Sequence, residues 1–103
     1  MARKIVYIAG PITGVTEYWK PFEAAEAELS SLGFTVLSPT RLPPDIDNGR
    51  AMKICLAMID VADAVYFLPG FEKSEGATLE AVYCDYTGKL YEMSIEKVRE
   101  VLS

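Results

Sequence analysis

Four short apolar, β-rich runs recur along the chain at similar intervals: Lys4–Ala9, Phe34–Leu37, Ala64–Leu68 and Lys89–Glu92. A helical pattern follows each, and this alternation constrains the fold more than any other feature. The runs are continuous rather than alternating apolar and polar, as strands are when both faces of their sheet are covered. Tyr18–Leu32 places Phe22, Ala25, Leu29 and Leu32 along one side and stops at Gly33, a common helix terminator. Arg50–Val61 carries Ile54, Leu56, Met58 and Ile59, too apolar all round for an exposed helix, which predicts cover on a second side. Ala77–Tyr86 follows Gly76, and Ser94 is placed to cap a last helix, Ile95–Leu102. A βαβαβαβα order predicts a three-layer α/β/α architecture with a parallel sheet of four to five strands. Right-handed crossovers favour a flavodoxin-like or Rossmann-like strand order. The 103 residues are expected to form one domain, 1–103, large enough to bury a single core.

Composition narrows the chemistry. The chain has no histidine, so covalent or acid–base work would fall to a carboxylate. A net charge of −5 without any stripe of Lys or Arg argues against duplex nucleic acid as a partner, because neutralising phosphates takes clustered cations. Small nucleotides remain open, since backbone amides can hold them. Cys55 and Cys84 lack metal-type spacing and sit in apolar helical patterns, so both read as reduced thiols of a cytosolic protein. No run approaches the ~20 apolar residues of a membrane span. The first apolar run is also too short for the core of a signal peptide. We therefore expect a cytoplasmic protein with no membrane partner and no metal or other cofactor.

Parallel strands send their outgoing loops to one edge of the sheet, where open α/β sheets bind ligands. Three loops meet there: Gly10-Pro11-Ile12-Thr13-Gly14, the Pro-rich Ser38–Gly49, and Pro69–Gly76. The first lacks the GxGxxG spacing of a dinucleotide fold and the Lys of a P-loop, which disfavours a dinucleotide oxidoreductase. It reads equally as a tight βα turn, with Thr13 bonded to its own backbone, or as a glycine-bearing cradle for a sugar or phosphate. Glu80 lies one turn beyond Gly76, between Leu79 and Ala81. It is either a surface glutamate, as Glu72 and Glu75 read, or a carboxylate aimed at the edge. Strand alternation puts Tyr7 with Ala9 on one face, opposite Val6 and Ile8, and leaves Tyr7 either a core residue or one facing the pocket.

Taken together these residues resemble the nucleoside 2-deoxyribosyltransferase superfamily, most closely its small phage- and bacteria-associated branch. The resemblance covers nearly the whole chain and rests on Tyr7-Ile8-Ala9-Gly10-Pro11-Ile12-Thr13-Gly14, on Phe22-Glu23-Ala24-Ala25, and on Gly33–Pro39. Its strongest part is Asp63–Glu80, in which the Ser74-to-Glu80 spacing with an intervening glycine is similar to that of the 2′-deoxynucleoside 5′-phosphate N-hydrolases. The resemblance implies that Glu80 attacks the anomeric carbon of a sugar, with a covalent deoxyribosyl-enzyme resolved by water or by a second base. A carboxylate suits that task because it stabilises an oxocarbenium-like transition state and then traps it. The resemblance further implies that Tyr7 orients carboxylate and sugar. Substrate contacts would come from Gly10, Pro11, Thr13, Gly14, Cys55, Gly70, Ser74, Gly76 and Ala77. A homo-oligomer, dimer or higher, is implied because a neighbouring subunit often completes such sites.

Two departures stand out. The related enzymes carry an aspartate eight residues before the position of Asp63, and here that residue is Cys55. A thiol can donate a proton but does not supply a carboxylate's negative field. Asp60 lies about 140° further round the helix and is a poor substitute. Asp63 itself begins a strand at the end away from the pocket and reads as a structural cap. The monophosphate hydrolases also use a serine and an arginine in the first loop, where this chain has Pro11 and Thr13. The expected activity is therefore cleavage or exchange of an N-glycosidic bond in a small nucleoside or nucleotide. The competing reading is a catalytically weak module that senses or sequesters a nucleotide, and a structural oligomer without a ligand comes third.

Overall fold

The structure, a computed structural model, describes residues 2–103. Its elements are β1 (Ile5–Ala9), α1 (Trp19–Ser31), β2 (Thr35–Leu37), α2 (Asn48–Val61), β3 (Ala64–Phe67), α3 (Glu75–Thr87), β4 (Tyr91–Glu92) and α4 (Ile95–Leu102). The four strands are all parallel and ordered β2-β1-β3-β4. In register, Tyr7 lies between Leu37 and Val65, and Ala9 lies opposite Phe67. The chain thus winds outward from β1 to β2, crosses back to β3 and continues to β4. The reversal falls between β1 and β3, the crevice where sheets of this type bind ligands.

The expected three-layer α/β/α arrangement is present with four strands, the lower of the two numbers expected. Every expected helix forms, and no boundary moves by more than two residues. Helix α3 starts at Glu75 rather than Ala77 because the Ser74 hydroxyl accepts the Ala77 N–H at 3.2 Å and caps the helix. The long loop expected over Ser38–Gly49 contains a single 3₁₀ turn, Pro39–Arg41, and ends at Asp47, whose carboxylate caps α2 through the Arg50 N–H at 3.0 Å. Gly33 does end the first helix: its φ of +96° is a conformation that side chains disfavour, and Phe34 then bonds back to the Leu29 carbonyl at 3.2 Å. Asp63 acts as the expected cap, accepting the Ile5 N–H at 2.7 Å at the end of the sheet away from the site.

Each sheet face has its own core. On one, α1 and α4 cover Val6, Ile8, Tyr66 and Leu68 with Phe22, Ala25, Leu29 and Val98. On the other, α2 and α3 cover Tyr7, Ala9, Val65 and Phe67 with Cys55, Ile59 and Cys84. Among the described residues, the second cover expected for α2 is incomplete. Ile59 is buried and Leu56 and Met58 are half-buried, but Ile54 stays exposed.

Candidate active site

Gly10 ends β1 at the reversal point. A Cβ there would lie 2.7 Å from the Leu68 side chain, so only glycine lets the loops after β1 and β3 close together. The Leu68 N–H donates to the Ala9 carbonyl at 2.8 Å and ties the two strand ends. Pro11 is half-buried just beyond, whereas Thr13 and Gly14 (φ +77°) are exposed at the loop tip. Gly70 (φ +83°) turns the chain after β3 into the short 3₁₀ segment Phe71–Lys73, which delivers Ser74 to the start of α3.

Glu80 sits between the first and second turns of α3. Side chains on a helix lean toward its N-terminus, so Glu80 reaches back toward the carboxyl edge of the sheet. It is not a surface glutamate: only 5% of it is exposed. Its Oε2 accepts a hydrogen bond from the Tyr7 hydroxyl at 2.8 Å, across 73 residues of sequence. Tyr7 is fully buried in the α2/α3 core, and its hydroxyl meets the carboxylate. The Cys55 thiol, from α2, lies near the same two side chains and influences the ionisation of both. Three positions far apart in sequence thus form one buried cluster.

The electrostatics follow from that burial. Loss of water pushes the Glu80 carboxyl up to about 7, while the bond from Tyr7 and, less, the nearby Cys55 thiol pull it back down. Burial, and then the nearby charge of Glu80, raise the Tyr7 phenol far above its ordinary range, so it stays protonated and remains a permanent donor. Burial likewise raises the Cys55 thiol, which keeps its proton at neutral pH. Cys84, on the same side of α3, is pushed up to about 11 by burial and by Glu80, which leaves it an inert core thiol.

The remaining expected site residues divide. Gly76 and Ala77 lie on the first turn of α3, near the cluster, and Ala77 is buried. The Ser74 hydroxyl is engaged in capping α3. Ser94 has a comparable task, accepting the Lys97 N–H at 3.1 Å. Met52 went unnoticed in the sequence. It is half-buried one turn before Cys55, and its Cε would lie 3.5 Å from a Cβ on Gly76. The i, i+3 spacing to Cys55 was its one sequence signal. An open depression of about 490 Å³ lies elsewhere on the molecule, between Tyr91–Ser94 and Lys97, and contains none of Tyr7, Cys55 or Glu80. The buried carboxylate, desolvated and held by a specific partner, marks the candidate site in place of that hollow. Among the described residues, no cluster of His, Cys, Asp and Glu side chains is arranged to hold a metal ion, and no helix is long and apolar enough to cross a membrane.

This architecture is found in solved 2-deoxyribosyltransferases. The enzyme from Bacillus psychrosaccharolyticus, a biocatalyst for nucleoside synthesis, superposes with a TM-score of 0.68 at 26% identity, over 84% of this chain and 69% of that one. The 2-deoxyribosyltransferase from Leishmania mexicana superposes with a TM-score of 0.68 at 22% identity, over 87% of this chain and 63% of that one. The fold is that of a nucleoside 2-deoxyribosyltransferase. Residues 4–91 match the family described as a domain of unknown function, DUF4406, and the chain belongs to that family. No curated protein matches it.

Proposed function

We propose that this protein cleaves or exchanges the N-glycosidic bond of a small nucleoside or nucleotide through a covalent glycosyl-Glu80 intermediate. The observation that carries the reading is the buried Tyr7–Glu80 hydrogen bond at the carboxyl edge of a 2-deoxyribosyltransferase-like sheet. A desolvated carboxylate is a stronger nucleophile toward a developing oxocarbenium ion than a hydrated one. The Tyr7 hydroxyl holds one oxygen, which leaves the other for the anomeric carbon. The electron pair of the breaking C–N bond departs with the base. Water or an acceptor base then attacks the glycosyl ester and restores the carboxylate. Cys55, protonated and near Glu80, acts as a neutral neighbour where a carboxylate would add repulsion.

Substrate reaches Glu80 between the Gly10–Gly14 and Pro69–Ser74 loops, with Gly10, Pro11, Thr13, Gly14, Gly70, Ser74, Gly76 and Ala77 bordering the sugar and any 5′-phosphate. The protein is taken to be cytoplasmic and to work as a homo-oligomer. The alternative, a nucleotide-binding module with little turnover, is favoured by one observation: a carboxyl raised to about 7 is about half protonated at neutral pH.

Liquid chromatography after incubation with deoxynucleosides and their 5′-monophosphates, with and without an acceptor base, tests both readings. Free base is expected from wild type, and Glu80→Ala should lose on the order of 10³-fold or more in rate. Dependence on the acceptor separates transferase from hydrolase. Thermal stabilisation by a nucleotide without any release of base would select the binding module.

A further inference from the structure

Helices α2 and α3 each follow a strand of the parallel sheet, so both begin at its carboxyl edge and pack together over one face. Their side chains form layers, counted inward from that edge. Cys55 and Glu80 make one layer, around the Tyr7 hydroxyl. One turn nearer the edge stand Met52, three residues before Cys55, and Gly76, four before Glu80. The Glu80 side chain leans toward the N-terminus of its own helix, and so toward this outer layer. Gly76 has an ordinary helical backbone, and a Cβ there would meet the Met52 Cε at 3.5 Å and the Ser74 Oγ at 4.0 Å, both ordinary contacts. Neither strain nor crowding calls for glycine at this position. Its missing side chain leaves room above the carboxyl group, and the end of Met52 lies at that room. Met52 is half-buried and packs against the core that contains Tyr7 and Cys55.

We propose that Met52 is a positioning residue for Glu80, its thioether covering the gap beside Gly76 and keeping water off the carboxyl group from the edge of the sheet. A methionine suits the task, because its unbranched, rotatable stem fills irregular gaps that a branched side chain does not fit. Met52 and Tyr7 then act on Glu80 in opposite senses. The Tyr7 hydroxyl, from below, favours the charged carboxylate by donating to it, whereas the Met52 cover disfavours the charge by excluding water. The importance of this cover for turnover rests on the glycosidic reading above, and its exclusion of water does not.

NMR titration of the full chain, labelled with ¹³C at the glutamate Cδ and free of any nucleotide, tests the proposal. The groups facing the carboxyl are the Tyr7 phenol from β1, the Cys55 thiol from α2 and the Cys84 thiol of α3 itself. Burial raises all three, so Glu80 is the member of this cluster that titrates near 7. Met52→Ala is expected to lower its midpoint by about one unit or more as water reaches the carboxylate. Met52→Leu, which keeps the volume, should stay within about 0.3 unit of wild type. If the alanine variant does not fold, Met52→Gln keeps the length, brings a donor amide to the carboxylate and should lower the midpoint likewise. Met58→Ala removes a half-buried methionine from the same core, further from the edge, and should cost stability without moving the midpoint. An unmoved midpoint in a folded Met52→Ala or Met52→Gln variant overturns the proposal, and so does an equal shift in Met58→Ala. In the pH–rate profile for base release, Met52→Ala should move the ascending limb of kcat/KM to lower pH, opposite to the loss of the Tyr7 bond. Because no substrate enters the titration, a wild type that releases no base overturns the glycosidic reading alone, and an unmoved midpoint overturns this proposal alone.

Discussion

The two faces of the sheet are built on different principles. The α1/α4 face is packed with aliphatic and aromatic side chains, Tyr66 among them. The α2/α3 face has the same strands beneath it but places a carboxyl, a phenol and two thiols among its aliphatic groups. Burying a group such as Phe22 stabilises the fold by about 1.5–3 kcal/mol, whereas burying Glu80 works against it whenever the carboxyl is charged. One face therefore secures the fold and the other carries a strained ionisation. Such a division is expected where chemistry needs a desolvated group and the scaffold has to absorb the cost.

The sharpest way to break the comparison is to remove one element from each face and follow stability against pH. Phe22→Ala should destabilise by about 3–5 kcal/mol, by leaving a cavity in the α1/α4 core, and by the same amount at every pH. Glu80→Gln should act in the opposite direction and only above acidic pH. The native carboxyl titrates near 7 against an ordinary value of 4.5, so the folded state holds its proton more tightly than the unfolded state does. Stability from this group is fully present below about pH 4.5 and is lost as pH rises through 7, reaching on the order of 3 kcal/mol. The glutamine variant should match wild type at pH 4 and exceed it at pH 8. Urea denaturation at the two pH values measures both, and an equal difference at both would show that Glu80 is not desolvated as described.

Smaller effects resolve the cluster itself. Tyr7→Phe removes the 2.8 Å bond to Glu80, and a hydrogen bond to a charged group is worth about 1.5–3 kcal/mol, so kcat/KM should fall roughly 10- to 100-fold. The pH–rate profile of the wild type should show an ascending limb near 7, the ionisation of free Glu80. Tyr7→Phe should move that limb upward, since the lost bond favoured the charged form. Cys55→Ala should do the same to a smaller degree, with a loss of a few-fold in rate. Cys55→Asp makes the comparison with the deoxyribosyltransferase pattern direct. It restores the carboxylate of that pattern and, by like-charge repulsion, should push the limb higher than alanine does. A limb that stays in place across all three variants would remove Tyr7 and Cys55 from the tuning of Glu80.

Much of this molecule was legible in the chain. The alternation of apolar runs with helical patterns specified the α/β/α layers, because backbone hydrogen bonding and period-3.6 burial are local demands. Gly33 and Ser94 announced a helix end and a helix start for the same local reason. The Ser74-to-Glu80 segment and Tyr7 were also visible as candidates. What the sequence left open was whether Tyr7 was core or site, and whether Glu80 was surface or site. Those choices depend on contacts between residues far apart in the chain. Tyr7 and Glu80 meet only because the crossover returns β3 beside β1 and sends α3 back over the same face. Their meeting excludes water, and desolvation has no sequence signature: it is a property of everything packed around the group. The sequence by itself determined the elements and their layers, and the tertiary structure decided which carboxylate lost its water.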